Sequence, residues 1–268
     1  MRLITLTTDF GTADWFVGTM KGVIAGIAPQ ARVIDLTHEV PAGDTRAGAF
    51  ALAAGCRFFP KGAVHVGVVD PGVGSARPAL AVQTADYWFV GPDNGVLSWA
   101  LAKERIKTVR ALENEDYFLQ PVSGTFQGRD IFAPVAAHLS RGLAIRKLGP
   151  ARKDFVRLAW PEPRWPGDRI EGEVVYIDHF GNAITNIDSA LLGSLPAAPL
   201  EVFLGRKRLC AVAAYYRAVR PGRSVAVPGS SGYLEIAING ASAADRHGLR
   251  VGQRVTVRAG RVTGQTAG

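Results

Sequence analysis

The chain has 268 residues, 47% of them hydrophobic and 20% charged, with a formal net charge of +8. That balance excludes a disordered chain and leaves room for one large core or two modest ones. The basic residues are scattered rather than interleaved with stacking aromatics, which argues against nucleic acid, and no apolar run reaches the length of a membrane span.

In chain order, short β-rich and helix-spaced runs alternate through the first half. The pattern predicts strands over 3–7, 32–36 and 64–69, and a strand pair over 79–83 and 87–90. Helices are predicted over 15–28, 45–58 with Asp44 as N-cap, 96–103 and 131–141. Such alternation argues for an α/β domain with a mostly parallel sheet over 1–159. Three prolines in 160–168 read as a stiff linker. Beyond it, strand-like runs over 172–177, 200–204, 224–227, 234–238 and 253–258 predict a smaller antiparallel β-barrel domain over 169–268. Residues 263–268 read as disordered.

Cys56 and Cys210 match neither a CxxC nor a zinc spacing and sit in apolar runs, as buried thiols do. The first residues lack the apolar stretch of a signal peptide, so a cytoplasmic protein is expected.

Polar clusters interrupt the apolar pattern at strand ends. Asp9 follows the first strand and Asp70 follows the strand over 64–69. In an open α/β sheet the carboxyl ends of the strands face one crevice. A carboxylate there can accept two hydrogen bonds from a vicinal diol such as a ribose; capping of the next helix is the alternative for Asp9. A Pro-Gly turn after Asp70 leads to Arg77, which places an acid and a guanidinium on one loop. Gln127 lies where a glycine-bearing turn enters a helix, beside an Arg129–Asp130 pair read as structural. Two further clusters, 178–182 and 230–240, fall at strand–loop junctions in the second half. The GxxxxGK[ST] phosphate loop, the GxSxG elbow and histidines at metal-ligand spacing are all absent from the sequence, so neither a metal nor another cofactor is expected.

Taken together, TTDFGTAD at 7–14, VDPGVGSAR at 69–77, GPDNG at 91–95, TFQGRDIFAP at 125–134, DHFGNAITNI at 178–187 and SSGYLEIAINGASAA at 230–244 resemble the S-adenosyl-L-methionine hydroxide adenosyltransferases, relatives of fluorinase and chlorinase. The resemblance implies an α/β domain joined to a β-barrel and a homotrimer with sites between subunits. It implies hydrolysis of S-adenosyl-L-methionine to adenosine and L-methionine, with water attacking the ribose C5′. By the same resemblance Asp9 binds the ribose hydroxyls, with Asp14 in support. Asp178 faces the methionine ammonium, and Asn182 reads the adenine, with Phe180 beside it in the same motif. Ser230 and Ser231 take the methionine carboxylate, and the Asn239–Gly240 backbone lies beside the adenine. Asp70 and Arg77 match two members of the set that handles the attacking water. The third member of that set is a histidine in the family, and this chain has Gln127. Glutamine can orient water but cannot take its proton at neutral pH. A slowed hydrolase is therefore expected, with a halide-using adenosyltransferase or a catalytically impaired binder of the same ligand as alternatives.

Overall fold

The computed structural model describes residues 3–260; the tail predicted to be disordered lies outside the described residues. The chain divides into two compact units, Met1–Ala159 and Trp160–Gly268.

In the first unit a seven-stranded sheet has the order β2-β1-β3-β5-β4-β6-β7. Its strands are β1 (Leu3–Thr8), β2 (Arg32–Thr37), β3 (Val64–Val68), β4 (Ala79–Thr84), β5 (Trp88–Pro92), β6 (Ile106–Ala111) and β7 (Ala151–Arg152). β2, β1, β3 and β5 run parallel, whereas β4, β6 and β7 join antiparallel. The sheet is thus parallel from the β2 edge to β5, and its pairings are antiparallel from β5 to the β7 edge. The parallel β1 and β3 are buried almost throughout, as strands covered on both faces are.

Helix α1 (Phe16–Ile27) buries Val17, Met20 and Ile24, and Met20 and Ile24 meet β1, β3 and α4 (Ala133–Ser140) in one core cluster. Helix α2 (Thr45–Gly55) packs with α3 (Ser98–Leu101) and against β1 to β3. Asp44 caps α2 by accepting from the Ala47 N–H at 2.9 Å, a contact worth about 1 kcal/mol.

In the second unit seven strands follow the order β11-β10-β14-β8-β9-β13-β12, all paired antiparallel. They are β8 (Arg169–Ile177), β9 (Ala183–Asp188), β10 (Leu200–Leu204), β11 (Lys207–Ala211), β12 (Ser224–Pro228), β13 (Tyr233–Ile238) and β14 (Arg254–Ala259). A bridge from Val212 to Ala226 links the two outer strands, so the sheet curls into a nearly closed barrel around Ile170, Val174, Ile187, Val202, Leu234 and Val257. A short helix α5 (Ala243–His247) follows β13.

The proline-rich segment packs on the second unit. Arg164 and Glu171 exchange backbone hydrogen bonds at 2.8 Å, the Pro161 carbonyl accepts from Asn186 Nδ2, and Trp160 lies 5.1 Å from Tyr233.

Candidate active site

Because β1 and β3 are parallel neighbours, Asp9 and Asp70 leave the sheet at the same edge. Both line a cleft of about 460 Å³, together with Phe10, Phe16, Phe126 and Gln127. Asp9 accepts from the Gly43 N–H at 2.8 Å, which ties it to the loop ahead of α2; it does not cap α1, whose N-cap position is Trp15 and carries no side-chain cap bond. Asp14 is exposed and stands outside the lining of this cleft.

Asp70 and Arg77 form a two-point fork: Arg77 Nε donates to Asp70 Oδ1 at 2.9 Å and Nη2 donates to Oδ2. The same Nη2 donates to Gln127 Oε1. The Asp70 and Arg77 side chains are only 4% and 11% exposed, a setting in which a charged fork is strong and directional. The guanidinium also lies 5.6 Å from the centre of the Phe132 ring. Fifty residues of chain separate Arg77 from Gln127, and Gly74 brings them together. A side chain at Gly74, which has φ +78°, would begin 2.2 Å from the Gly124 carbonyl oxygen, so the two loops touch backbone to backbone. Gln127 then opens a π-helical turn, Gly128–Phe132, that runs into α4. Such turns are frequent at functional sites because they re-aim one side chain.

Phe10, Phe16 and Phe126 form the apolar wall, with ring centres 5.1–5.9 Å apart. Sequence reasoning did not single them out, although Phe10 and Phe126 sit inside the quoted motifs. Arg129 and Asp130 pair at 2.6 Å, and Asp130 also accepts from the Ser123 N–H at 2.8 Å, so this pair braces the loop that carries Gln127.

No histidine lines the cleft. His38 and His65 are buried, each with Nδ1 2.8 Å from a threonine hydroxyl, Thr8 and Thr5 respectively. Burial pushes His65 down to about 4, which keeps it neutral. Among the described residues no three or more His, Cys, Asp or Glu side chains are grouped as a metal site. Burial raises both thiols, Cys56 to about 11 and Cys210 to about 12, so neither is a ready nucleophile.

In the second unit Asp178 organises the turn between β8 and β9. Its Oδ1 accepts from the N–H groups of Phe180 at 2.9 Å and Asn182 at 2.8 Å, and its Oδ2 accepts from Asn182 Nδ2 at 2.9 Å. Gly181, with φ +77°, abuts Ser242, and its carbonyl accepts from the Ala244 N–H at 2.8 Å. This turn therefore packs against the segment that contains Asn239 and Gly240. Phe180 is 73% exposed, and Asn239 Nδ2 donates to the Val219 carbonyl at 2.7 Å. Ser230 and Ser231 lie on the turn between β12 and β13, and Ser231 Oγ is buried without a hydrogen-bond partner. Beneath that turn is a pair that sequence reasoning missed: Tyr216 donates to Glu235 at 2.6 Å. Burial, with a smaller push from the charge of Asp178, raises Glu235 above the usual carboxylate range despite the Tyr216 bond.

A strand-end acid, a buried acid–guanidinium fork and an aromatic wall define a site suited to a nucleoside, on an α/β unit followed by a barrel. Residues 4–149 match the SAM hydroxide adenosyltransferase N-terminal domain, and residues 172–256 match the C-terminal domain. The chain belongs to the SAM hydroxide adenosyltransferase family.

It is 43% identical to the (R)-S-adenosyl-L-methionine hydrolase of Salinispora tropica, over 96% of this chain and 98% of that protein. It is 39% identical to the enzyme of the same name from Thermus thermophilus, over 95% and 99%. The fluorinase of Actinoplanes sp. is more distant, at 28% identity over 95% and 97%. Among solved structures, an uncharacterized conserved protein from Thermotoga maritima superposes with a TM-score of 0.90 at 37% identity, over 96% of this chain and 99% of that one.

Proposed function

We propose that this protein hydrolyses S-adenosyl-L-methionine to adenosine and L-methionine by attack of water or hydroxide at the ribose C5′. The observation that carries this reading is the linked Asp70–Arg77–Gln127 group beside a cleft that Asp9 also lines. The relatives named as hydrolases at 39–43% identity support it. In the step, the C5′–O bond forms, the C5′–S bond breaks, and its electron pair returns to sulfur as neutral methionine. When water is the nucleophile, one proton passes from it to solvent; hydroxide gives the 5′-hydroxyl directly and releases none. The sulfonium is already a good leaving group, so the protein's part is positioning and exclusion of bulk water.

Asp9 is assigned to the ribose hydroxyls, with the three phenylalanines packing on the nucleoside and Asp14 in support. Asp178, Ser230 and Ser231 are assigned to the methionine moiety. Asn182, Asn239 and Gly240 are assigned to the adenine, with Phe180 beside them. The sites are assigned to a cytoplasmic homotrimer, with the first unit of one copy meeting the second unit of the next, and no cofactor takes part.

Gln127 sets the nucleophile's environment. Its Oε1 is taken by Arg77, so the amide presents N–H donors rather than a basic nitrogen. Both Asp70 oxygens already accept from Arg77. This arrangement holds an electron-rich nucleophile by donation and leaves deprotonation to the solvent. The same donor suits a halide, which is the second reading. The test is incubation with S-adenosyl-L-methionine, with and without chloride, followed by product separation. Adenosine with methionine supports hydrolysis, 5′-chloroadenosine would transfer the assignment to the halide reaction, and unchanged bound substrate would mark a binder.

A further inference from the structure

The 91–95 turn stands apart from the cleft lining, yet it grips both ends of the loop that carries Asp70 and Arg77. The sheet order explains how. β5 lies between β3 and β4, so the chain leaving β3 must cross the end of β5 before it enters β4. The crossing segment, 69–78, contains both members of the fork. The turn at the end of β5 then meets each foot of that segment. Asn94 Nδ2 donates to the Val69 carbonyl at 2.7 Å, one residue before Asp70. The Asp93 N–H donates to the Pro78 carbonyl at 2.9 Å, one residue after Arg77. The turn is itself held: Asn94 Oδ1 accepts from the Val96 N–H at 3.1 Å, and Asp93 Oδ1 accepts from the Val156 N–H at 2.7 Å.

We propose that Asn94 is a positioning residue for the nucleophile: by anchoring the Val69 carbonyl it fixes the separation of Asp70 and Arg77 and hence the direction in which Gln127 is held. The proposal rests on the hydrolytic reading for its kinetic consequence, but the geometric consequence stands independently. Among the described residues the Asn94 bond is the only side-chain hydrogen bond to the Val69 backbone, whereas the Pro78 carbonyl is also held by the Asp93 backbone N–H, which substitution leaves in place. Misplacement of reacting groups by a fraction of an ångström lowers turnover without weakening ground-state binding.

The test compares Asn94→Asp with Ser98→Ala. Asn94→Asp keeps the acceptor for Val96 and loses the donor to Val69. Ser98 Oγ donates to the Val156 carbonyl at 3.1 Å and accepts from the Leu158 N–H at 3.0 Å, so it bonds to the segment that holds Asp93 and to neither foot. Asn94→Asp is expected to lower kcat about tenfold or more with KM within about threefold, as expected for an interaction made only in the transition state. The Arg77 Nε–H, followed by NMR, is expected to exchange about tenfold faster as its local structure opens more often. Ser98→Ala is expected to lower Tm while leaving kcat and the Arg77 signal as they are. Unchanged Arg77 exchange in Asn94→Asp, or equal kcat losses in both variants, overturns the proposal. Absence of turnover in the unsubstituted protein would defeat the hydrolytic reading instead, and the Arg77 comparison would still decide the positioning role.

Discussion

Arg77 binds Asp70 at two points and, from one of the same nitrogens, reaches Gln127. One planar cation therefore sets the orientation of two side chains from distant parts of the chain. Arg77→Lys keeps the charge and loses the fork. Turnover of S-adenosyl-L-methionine should fall by roughly 10²-fold with little change in KM, as expected when positioning rather than binding is lost. Steady-state kinetics check this, and a lysine variant with normal kcat would remove the fork from the mechanism.

Gln127→His would put a group that titrates near neutrality beside the fork. General-base help is worth on the order of 10²–10⁴ in rate, so hydrolysis should increase, and the pH–rate profile should gain an inflection near pH 6–7 that the glutamine form lacks. A profile of unchanged shape would show that proton removal does not limit the reaction.

Asp9→Ala should weaken adenosine binding by about 10- to 100-fold, the range expected for loss of hydrogen bonds to a charged group. Asp9→Asn retains an acceptor for the Gly43 N–H and separates the ligand contact from the loop contact. Calorimetric titration of both variants is the check, and unaltered affinity in both would mean that the ribose lies elsewhere.

His65 gives stability a pH dependence that has nothing to do with the cleft. Its ring sits 5.0–5.6 Å from Phe59, Tyr87 and Phe89, and burial lowers it from 6.5 to about 4. Between those values the unfolded chain takes up the proton and the folded chain does not, so stability falls as pH drops through 6.5 toward about 4. The full loss would approach roughly 3 kcal/mol at two and a half units. His65→Asn should be less stable near neutral pH but show a flatter acid slope in urea denaturation. The same slope in both proteins would assign the acid sensitivity to other groups.

Much of this architecture was legible before the structure. The β-branched runs that end at Asp9 and Asp70 marked the strand ends that open on the cleft, and Asp44 marked the start of α2. From sequence alone, the basic cluster Arg206-Lys207-Arg208 between two apolar runs reads as a hairpin turn; the structure keeps the turn at Gly205–Arg206, and Lys207 and Arg208 already belong to β11. Exposed charged residues can line an outward strand face as readily as a loop, so periodicity did not separate the two. The Pro-rich segment read as a spacer because its composition forbids regular structure, yet its carbonyls and rings still find partners such as Asn186 and Tyr233. The link from Arg77 to Gln127 depends on two loops touching at Gly74, and the Asn94 clamp depends on sheet order. Neither leaves a periodic or local signature. The phenylalanine wall was hidden because an aromatic beside a turn reads equally as core.

Asp178 already holds three donors from its own turn. Any ammonium that reaches it would meet an anion whose position is fixed in advance and whose remaining lone pairs are few. For the ammonium proposed to bind there, approach is restricted in angle: the directions already taken by the Phe180 and Asn182 donors are closed to a cation.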